Sequence, residues 1–308
     1  MSLTNFPNGI TSFGIPIMGN IPNVYGNVWF VNSETGFDGN SGKSTDRALA
    51  SLERLLAVVK TGDTVFIHGD FREEALIGSN LVFDVTVIGA ATRPHHPDSP
   101  GTGYKTGAAA IRPPASPTAA TPLLTVRGRG WRFINILFDC PVDAAAVVLS
   151  RNASSGTDEY DASHAEFISC RFDSGLQGIE NAGGAAFVLV DDCKFYRMTT
   201  GGAGIVCSST AAAVPLNWEV RNSQFFDNDA HILSSASEWS IYGNTFGNFT
   251  TEALDLIHNT SQGDHNTVWN NALAGTYSIV GGYTPSATDE WGGNYNSIAG
   301  GVTAAIPA

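Results

Sequence analysis

The stretch Val188-Leu189-Val190-Asp191-Asp192-Cys193-Lys194-Phe195 has apolar residues in alternation, a small polar pair, one variable residue and a terminal Phe. This shape recurs five more times along the chain. The other copies lie at residues 131–138, 166–172, 218–225, 239–246 and 267–273, and the last of them ends in Leu instead of Phe. Successive terminal residues are separated by 34, 23, 30, 21 and 27 positions. A self-similar period in this range is typical of a solenoid, in which each repeat stacks on the next.

The pattern inside each copy indicates the kind of solenoid. Alternation on both sides of the polar pair predicts a strand, a sharp bend and a second strand. A leucine-rich repeat is excluded because its spacing of Leu and Asn is missing. We therefore predict an all-β fold, a single-stranded right-handed parallel β-helix in which each coil adds short strands to stacked parallel sheets. The terminal Phe residues would form a core column rather than a platform for sugars.

One position of the repeat carries mostly small or amide side chains. Stacked strands lie about 4.8 Å apart, so side chains at the same position of successive coils would contact each other. Similar side chains at one position therefore predict an internal ladder. The ladder position, two residues before the terminal apolar residue, is occupied by Ile136, Cys170, Cys193, Ser223, Asn244 and Asn271. We interpret Cys170 and Cys193 as core packing, because a buried free Cys behaves as a small hydrophobe; a disulfide is the alternative. None of the four cysteines forms a C-x-x-C pair, so we expect no zinc or thioredoxin-type site.

The composition narrows the classes of function. The 308 residues carry 29 acidic and 16 basic side chains, a net charge of −13, which argues against nucleic-acid binding. Hydrophobic residues make up 43%, too many for a disordered chain, whereas 34 Gly and only 15% charged residues argue against a coiled coil. Residues 1–14 have no basic n-region or apolar run, and no stretch reaches 18 apolar residues, so we expect neither a signal peptide nor a membrane helix. These features predict a soluble protein made in a cytoplasm and exported, if at all, in a particle released by lysis.

Four segments differ from the repeats. Residues 1–26 combine Pro, Gly and Asn with large apolar side chains, which predicts an extended arm that docks on another surface. Leucines at helical spacing predict one amphipathic helix over about residues 46–60, with Ser51 as a possible N-cap. Pro-rich residues 92–122 indicate a loop insertion into a β-helix spanning residues 27–280, and residues 281–308 a C-terminal cap or tail. The docking side chains of the arm would be Phe6, Pro7, Ile10, Phe13 and Ile15.

Residues 28–32, 36–42 and 62–67, with the helix between them, resemble the opening of pectin-lyase-like β-helix proteins, most closely those of bacteriophages. The resemblance implies that the helix caps the N-terminal mouth of the solenoid and that residues 62–67 begin the first coil. The arm is similar to the N-termini of some phage virion proteins. Homotrimers are common among virion β-helix proteins, so the resemblance also implies self-association.

Function has to come from a site, because this fold hosts lyases, glycosidases and inert structural proteins. The motifs of pectate lyases are missing, and of the polygalacturonase blocks only Asp191-Asp192 is present, which we interpret as part of a bend. Carboxylates that follow the Phe column could still form an acid pair, with His231 and His258 nearby. These alternative catalytic residues are Glu180, Asp229 and Asp255. We expect no metal ion or cofactor, either at His95-His96 or in residues 36–42, which lack the full spacing of a calcium loop.

Three hypotheses follow. The first is a non-enzymatic virion protein that decorates the capsid or forms a short fibre, with phage capsid or tail proteins as its partners. The second is a tailspike-type depolymerase of host surface polysaccharide, which a pair of carboxylates in an open groove would favour. The third is a glycan-binding adhesin, which would expose Trp or Tyr along one sheet. None of them involves nucleic acid or a membrane.

Overall fold

The computed structural model describes residues 11–12, 15–16, 26–79, 81–90, 109–150, 162–182, 184–207, 215–247, 249–255, 265–273, 283–284, 288–296 and 301–303. In these residues the chain forms strands numbered β1 to β29, one α-helix and one 3-10 turn. Strands β1 (Thr11–Ser12) and β2 (Ile15–Pro16) pair with each other in antiparallel fashion. The rest belong to a parallel β-helix with three sheets, which confirms the predicted fold class. No helix in the described residues is long and apolar enough to cross a bilayer.

Sheet I is formed by the first strand of each coil. Its strands pair in parallel from the start of the solenoid to residue 292. They are β3 (Val28–Asn32), β4 (Thr64–Arg72), β6 (Thr86–Gly89), β9 (Arg132–Ile134), β12 (Glu166–Ile168), β15 (Leu189–Asp191), β18 (Glu219–Arg221), β21 (Ser240–Tyr242), β24 (Thr267–Trp269) and β27 (Glu290–Gly292).

Sheets II and III complete each coil. Sheet II contains the end of β4, β7 (Ala109–Arg112), β10 (Leu137–Asp139), β13 (Arg171–Asp173), β16 (Lys194–Tyr196), β19 (Gln224–Phe226), β22 (Thr245–Phe246), β25 (Ala272–Leu273), β28 (Asn294–Asn296) and the antiparallel β29 (Gly301–Thr303). Sheet III contains β5 (Leu76–Ile77), β8 (Leu124–Val126), β11 (Ala145–Leu149), β14 (Gln177–Asn181), β17 (Ala203–Cys207), β20 (Asn228–Ser234), β23 (Phe249–Asp255) and β26 (Tyr283–Thr284).

A single left-handed residue makes the bend between sheets I and II. Its φ lies between 51° and 66° in coil after coil, a conformation that Asn, Asp and Gly tolerate better than other residues. The position is held by Asn135, Ser169, Asp192, Asn222, Gly243, Asn270 and Gly293. The interpretation of Asp192 as a bend residue is therefore confirmed.

Aromatic rings stack along the axis inside the solenoid. Phe195 lies 4.7 Å from Phe172 and 4.6 Å from Phe225 between ring centroids, with planes within 6° of parallel. The stack runs from Phe138 to Phe246, and each of its rings is fully buried. The Phe column is therefore core, as the sequence predicts, and offers no surface to a ligand.

Three predicted boundaries are wrong. The α-helix α1 spans only Leu52–Leu56: it begins after Ser51, whose side chain caps it by accepting the Arg54 N–H, and Thr45–Arg47 forms a separate 3-10 turn. The predicted loop at 92–122 contains strand β7, whose side chains are buried and which pairs with β4 and β10. The β-helix also continues past residue 280, because β27 and β28 pair in parallel with β24 and β25.

Candidate functional site: the outer face of sheet I

The predicted acid pair is not brought together. Asp255 pairs with Leu233 of β20 in sheet III. Leu233 lies four residues along β20 from Asp229, so the two positions are separated by roughly 13 Å of strand. Asp229 is buried, and its carboxylate accepts the amide N–H of Gly201 at 2.6 Å. Glu180 lies in the column of Asp255 but three coils away, about 14 Å at the usual strand spacing. The strand register therefore spreads the backbones of the three residues over roughly 13 Å or more of sheet III.

The other predicted sites are placed as follows. His231 is buried in the core, between Asn228 and the carbonyl of Gly247. Asp38, in the segment considered for calcium, instead accepts the N–H groups of Ala50 and Ser51 at the start of α1. Of the arm residues, Ile15 begins strand β2; Phe6, Pro7, Ile10 and Phe13 lie outside the described residues, as do His95, His96 and His258. In the described residues, no three His, Cys, Asp or Glu side chains form a group that could hold a metal ion.

The predicted ladder residues occupy one buried column at the bend. The Sγ of Cys193 donates to the Phe167 carbonyl at 3.3 Å, and the hydroxyl of Ser223 accepts the Cys193 amide at 3.0 Å. The column continues through Asn244 and Asn271 to Asn294. In each of these three residues the Oδ1 accepts the backbone N–H of the ladder residue one coil earlier. All four cysteines are free and buried. The column is therefore an internal hydrogen-bonded support, away from solvent.

The outer face of sheet I changes from apolar to polar and aromatic along the solenoid axis. Outward-facing residues at the third strand position form one column, because the strands pair in register. The column reads Phe66, Ile88, Ile134, Ile168, Asp191, Arg221, Tyr242 and Trp269. Its first half is apolar, whereas its second half carries charged and aromatic side chains.

An open groove of about 380 Å³ lies on this second half. We name it the sheet I groove; it is lined by Asn217, Glu219, Glu238, Tyr242 and Trp269, among others. Trp269 exposes 42% of its surface, and its ring centroid lies 5.4 Å from that of Tyr242. Glu238 is exposed at the turn before β21, where its φ of 58° directs the chain into the strand. The groove therefore combines an aromatic surface with hydrogen-bonding carboxylates.

A network of charged hydrogen bonds lies beside the groove and reaches its lining at Glu219 and Tyr242. Arg221 donates to Glu219 at 2.6 Å and to Asp191 at 2.9 Å, so its guanidinium bridges two carboxylates. The Tyr242 hydroxyl donates to Glu219 and accepts from Arg221 at 3.3 Å. These bonds hold the side chains at fixed positions on neighbouring strands.

The network also sets the protonation states. The hydrogen bond to Glu219 raises the pKa of the Tyr242 phenol, so it stays a neutral donor at pH 7. Burial alone would raise the pKa of Asp191, but hydrogen bonds from Arg221 and Asn222 outweigh it and hold the pKa below its ordinary value. Asp191 and Arg221 are thus both charged at neutral pH.

Sequence reasoning missed the groove residues, although one signal could have found them. Each lies next to an inward apolar residue, as Glu219 and Arg221 flank Val220, so alternation alone places them outside. Alignment of the six copies would then have put Tyr242 and Trp269 side by side on neighbouring strands.

Comparisons with known proteins agree with the fold. No family model and no curated protein sequence matches the chain. Its structure is similar to that of a mannuronic acid specific polysaccharide family 6 lyase from human gut microbiota, with a TM-score of 0.55 and 14% identity over 88% of this chain and 59% of that one. It is also similar to pectate lyase Pel9A, with a TM-score of 0.51 and 13% identity over 88% and 76% of the chains. A tailspike protein of an E. coli bacteriophage, solved with a pentasaccharide, gives a TM-score of 0.49 at 10% identity over 88% and 54%. At such low identity the likenesses to the two lyases establish the parallel β-helix fold alone.

Proposed function

We propose that this protein binds a carbohydrate polymer in the sheet I groove. The observation that carries the proposal is the exposed ring of Trp269 beside Tyr242 in an open, hydrogen-bonding groove. A large aromatic ring with a polar neighbour suits a ligand that has both apolar faces and hydroxyl groups, as sugars do. Single exposed apolar residues are common on proteins, but here the ring lies in an open groove beside Tyr242, whose hydroxyl is held by hydrogen bonds.

The direction of the groove fits a chain-like ligand. Neighbouring strands of sheet I present equivalent positions about every 4.8 Å along the axis. Asn217 and Glu219 come from one coil, Glu238 and Tyr242 from the next, and Trp269 from a third. A polymer that lies across the strands would therefore meet new contacts with each coil, which supports an extended ligand over a compact one.

The contacts within the groove support binding over cleavage. Glycosidases use two carboxylates, one of which holds a proton while the other attacks or activates water. Glu219 already accepts from both Arg221 and Tyr242. Tyr242 is poorly suited to act as a base, because its pKa is raised.

Cleavage stays a second candidate because of one observation: Glu219 and Glu238 line the same groove. They lie one strand and two residues apart, roughly 8 Å between Cα atoms from standard strand geometry. Incubation with a bound polysaccharide, followed by analysis of released oligosaccharides, tests this candidate. Release that stops in Glu238→Gln would establish a depolymerase; no release supports binding alone.

The binding proposal is tested by exchange of the exposed ring. Trp269→Ala should lower the affinity for a bound polysaccharide by at least about fivefold, because the stacking of a nucleobase on an aromatic side chain, a related contact, contributes on the order of 1–3 kcal/mol. The matched control is Tyr295→Ala, which removes an exposed ring from the outer column of sheet II. Equal affinity of the Trp269→Ala variant and the unchanged protein would refute the proposal.

The biological setting that we propose is a phage particle, with the arm at residues 1–26 docked on capsid or tail proteins and the chain assembled with copies of itself. This rests on the resemblance of residues 28–67 and of the arm to phage β-helix proteins. Within this setting the protein would decorate the capsid or form a short fibre. Deletion of residues 1–26 should abolish incorporation into particles while circular dichroism of the solenoid is unchanged; particles that still carry the truncated protein would refute the docking role.

A further inference from the structure

We propose that the sheet I groove selects neutral or amino-sugar polymers and rejects polyuronates and other acidic glycans. The inference rests on the proposed carbohydrate binding and adds the chemical class of the ligand. It follows from the charges on the outer face of sheet I around the groove and from how they are paired.

Carboxylates dominate the outer face of sheet I from β15 to β27. Apart from the buried Asp289, the described charged side chains on this face and its flanking turns are five acids and one guanidinium, with His265 at one edge. The acids are Asp191, Asp192, Glu219, Glu238 and Glu290, and the guanidinium belongs to Arg221. Five negative charges less one positive charge leave a net −4 on the face, with His265 not counted.

The single guanidinium is already engaged. Arg221 donates to Asp191 and to Glu219, and both bonds are short enough to be charge-assisted. A uronate carboxylate that approached Arg221 would lie beside Asp191 and Glu219, which already share its positive charge. Like charges a few ångströms apart repel, and so a uronate gains no net attraction here.

The hydrogen-bonding groups of the groove point to the same class of ligand. The Tyr242 proton is committed to Glu219, and the carboxylates of Glu219 and Glu238 can only accept hydrogen bonds when ionised. A ligand rich in donors therefore fits best. Sugar hydroxyls, the N–H of an N-acetyl group and the ammonium of a free amino sugar are such donors, whereas a uronate carboxylate is another acceptor.

The experiment compares polymers that share a backbone and differ in charge. Polygalacturonate and alginate are each immobilised as such and after carboxyl reduction, together with dextran, N-acetylglucosamine oligomers and chitosan oligomers. Binding of the full-length protein and of Trp269→Ala is measured at low and high salt, with EDTA and with added calcium. We expect affinity for at least one neutral or amino-sugar polymer, its loss in Trp269→Ala, and affinity at least about tenfold weaker for each acidic polymer than for its reduced form.

A second variant isolates charge. Glu290 is exposed on the same face, one coil beyond Trp269 and outside the groove lining. Glu290→Gln should strengthen the residual binding of an acidic polymer by about twofold, since unit charges near 10 Å in water repel by a fraction of 1 kcal/mol, and leave a neutral polymer unaffected. High salt should act in the same direction on the acidic polymers, because it screens the repulsion.

The outcomes separate the two proposals. One outcome is that an acidic polymer binds as tightly as its reduced form, with or without calcium, and that Trp269→Ala abolishes this binding. That outcome would overturn the selection of neutral ligands but leave the proposed carbohydrate binding intact. If no polymer binds, or if Trp269→Ala binds like the unchanged protein, carbohydrate binding in the groove is wrong and the inference falls with it.

Discussion

Asn244 and Asn271 lie one above the other inside the bend between sheets I and II. The Oδ1 of Asn271 accepts both the backbone N–H of Asn244, at 2.9 Å, and its Nδ2, at 3.0 Å. The Nδ2 of Asn271 in turn donates to the Ile241 carbonyl at 3.0 Å. Both side chains are only 1% exposed, so water does not reach this position. The amide side chains therefore supply the hydrogen bonds that the backbone groups of the bend need.

We expect Asn271→Leu to lower the free energy of unfolding by about 3 kcal/mol. Leu has a similar volume, but it leaves the Asn244 amide and the Ile241 carbonyl buried without these bonds, at about 1–3 kcal/mol each. Urea denaturation followed by circular dichroism measures the change. The control is Asn270→Gly at the exposed left-handed neighbour, which should change stability by less than about 1 kcal/mol because Gly tolerates that φ. Equal stability of the two variants would contradict the ladder's role.

Gly243→Val should destabilise the protein by about 2 kcal/mol. Gly243 has a φ of 66°, and a Cβ there would lie 3.0 Å from the Asn222 side-chain oxygen. A β-branched residue is strained in the left-handed region by roughly 1–2 kcal/mol, to which the close contact adds. Gly243→Asn restores the residue type found at this position in other coils and should cost less than half as much. Thermal unfolding of the two variants decides, and a Val variant as stable as the Asn variant would refute the argument.

The repeat is enough to predict sheets I and II, because inward residues such as Phe195 and Val220 recur at the same position in every copy. The last coil is harder to recognise because Asn296 stands where the other copies have Phe or Leu, although Asn294 occupies the ladder position. The groove is harder to predict for a physical reason. Outward residues need not repeat, so Asp191, Arg221, Tyr242 and Trp269 share a column without sharing a chemistry.

The four cysteines should be unreactive in the folded protein. Burial raises the pKa of Cys193 and Cys140 well above its ordinary value and that of Cys207 to about 12, so almost no thiolate forms at neutral pH. Ellman's reagent should label no thiol under native conditions and four in denaturant without reductant. Two thiols in denaturant would instead reveal a disulfide, and rapid native labelling would show that the column is open to solvent.

His231 should make the protein less stable in mild acid. Its ring stacks on Phe246 and is fully buried, which lowers its pKa to about 4 from an ordinary value of 6.5. Between these two pH values the unfolded chain holds the proton that the folded chain lacks. The free energy of unfolding therefore falls as the pH drops through that window, by about 3 kcal/mol in total.

Two histidine variants isolate this contribution to the pH dependence. His231→Gln can retain one polar contact to Asn228 or Gly247 but cannot titrate, so its stability should change less between pH 6.5 and 4. In His164→Gln, at an exposed position, stability should depend on pH as steeply as in the unchanged protein. Urea midpoints measured across this pH range give both slopes. If His231→Gln retains the full slope, carboxylates elsewhere cause the acid sensitivity and the buried imidazole does not.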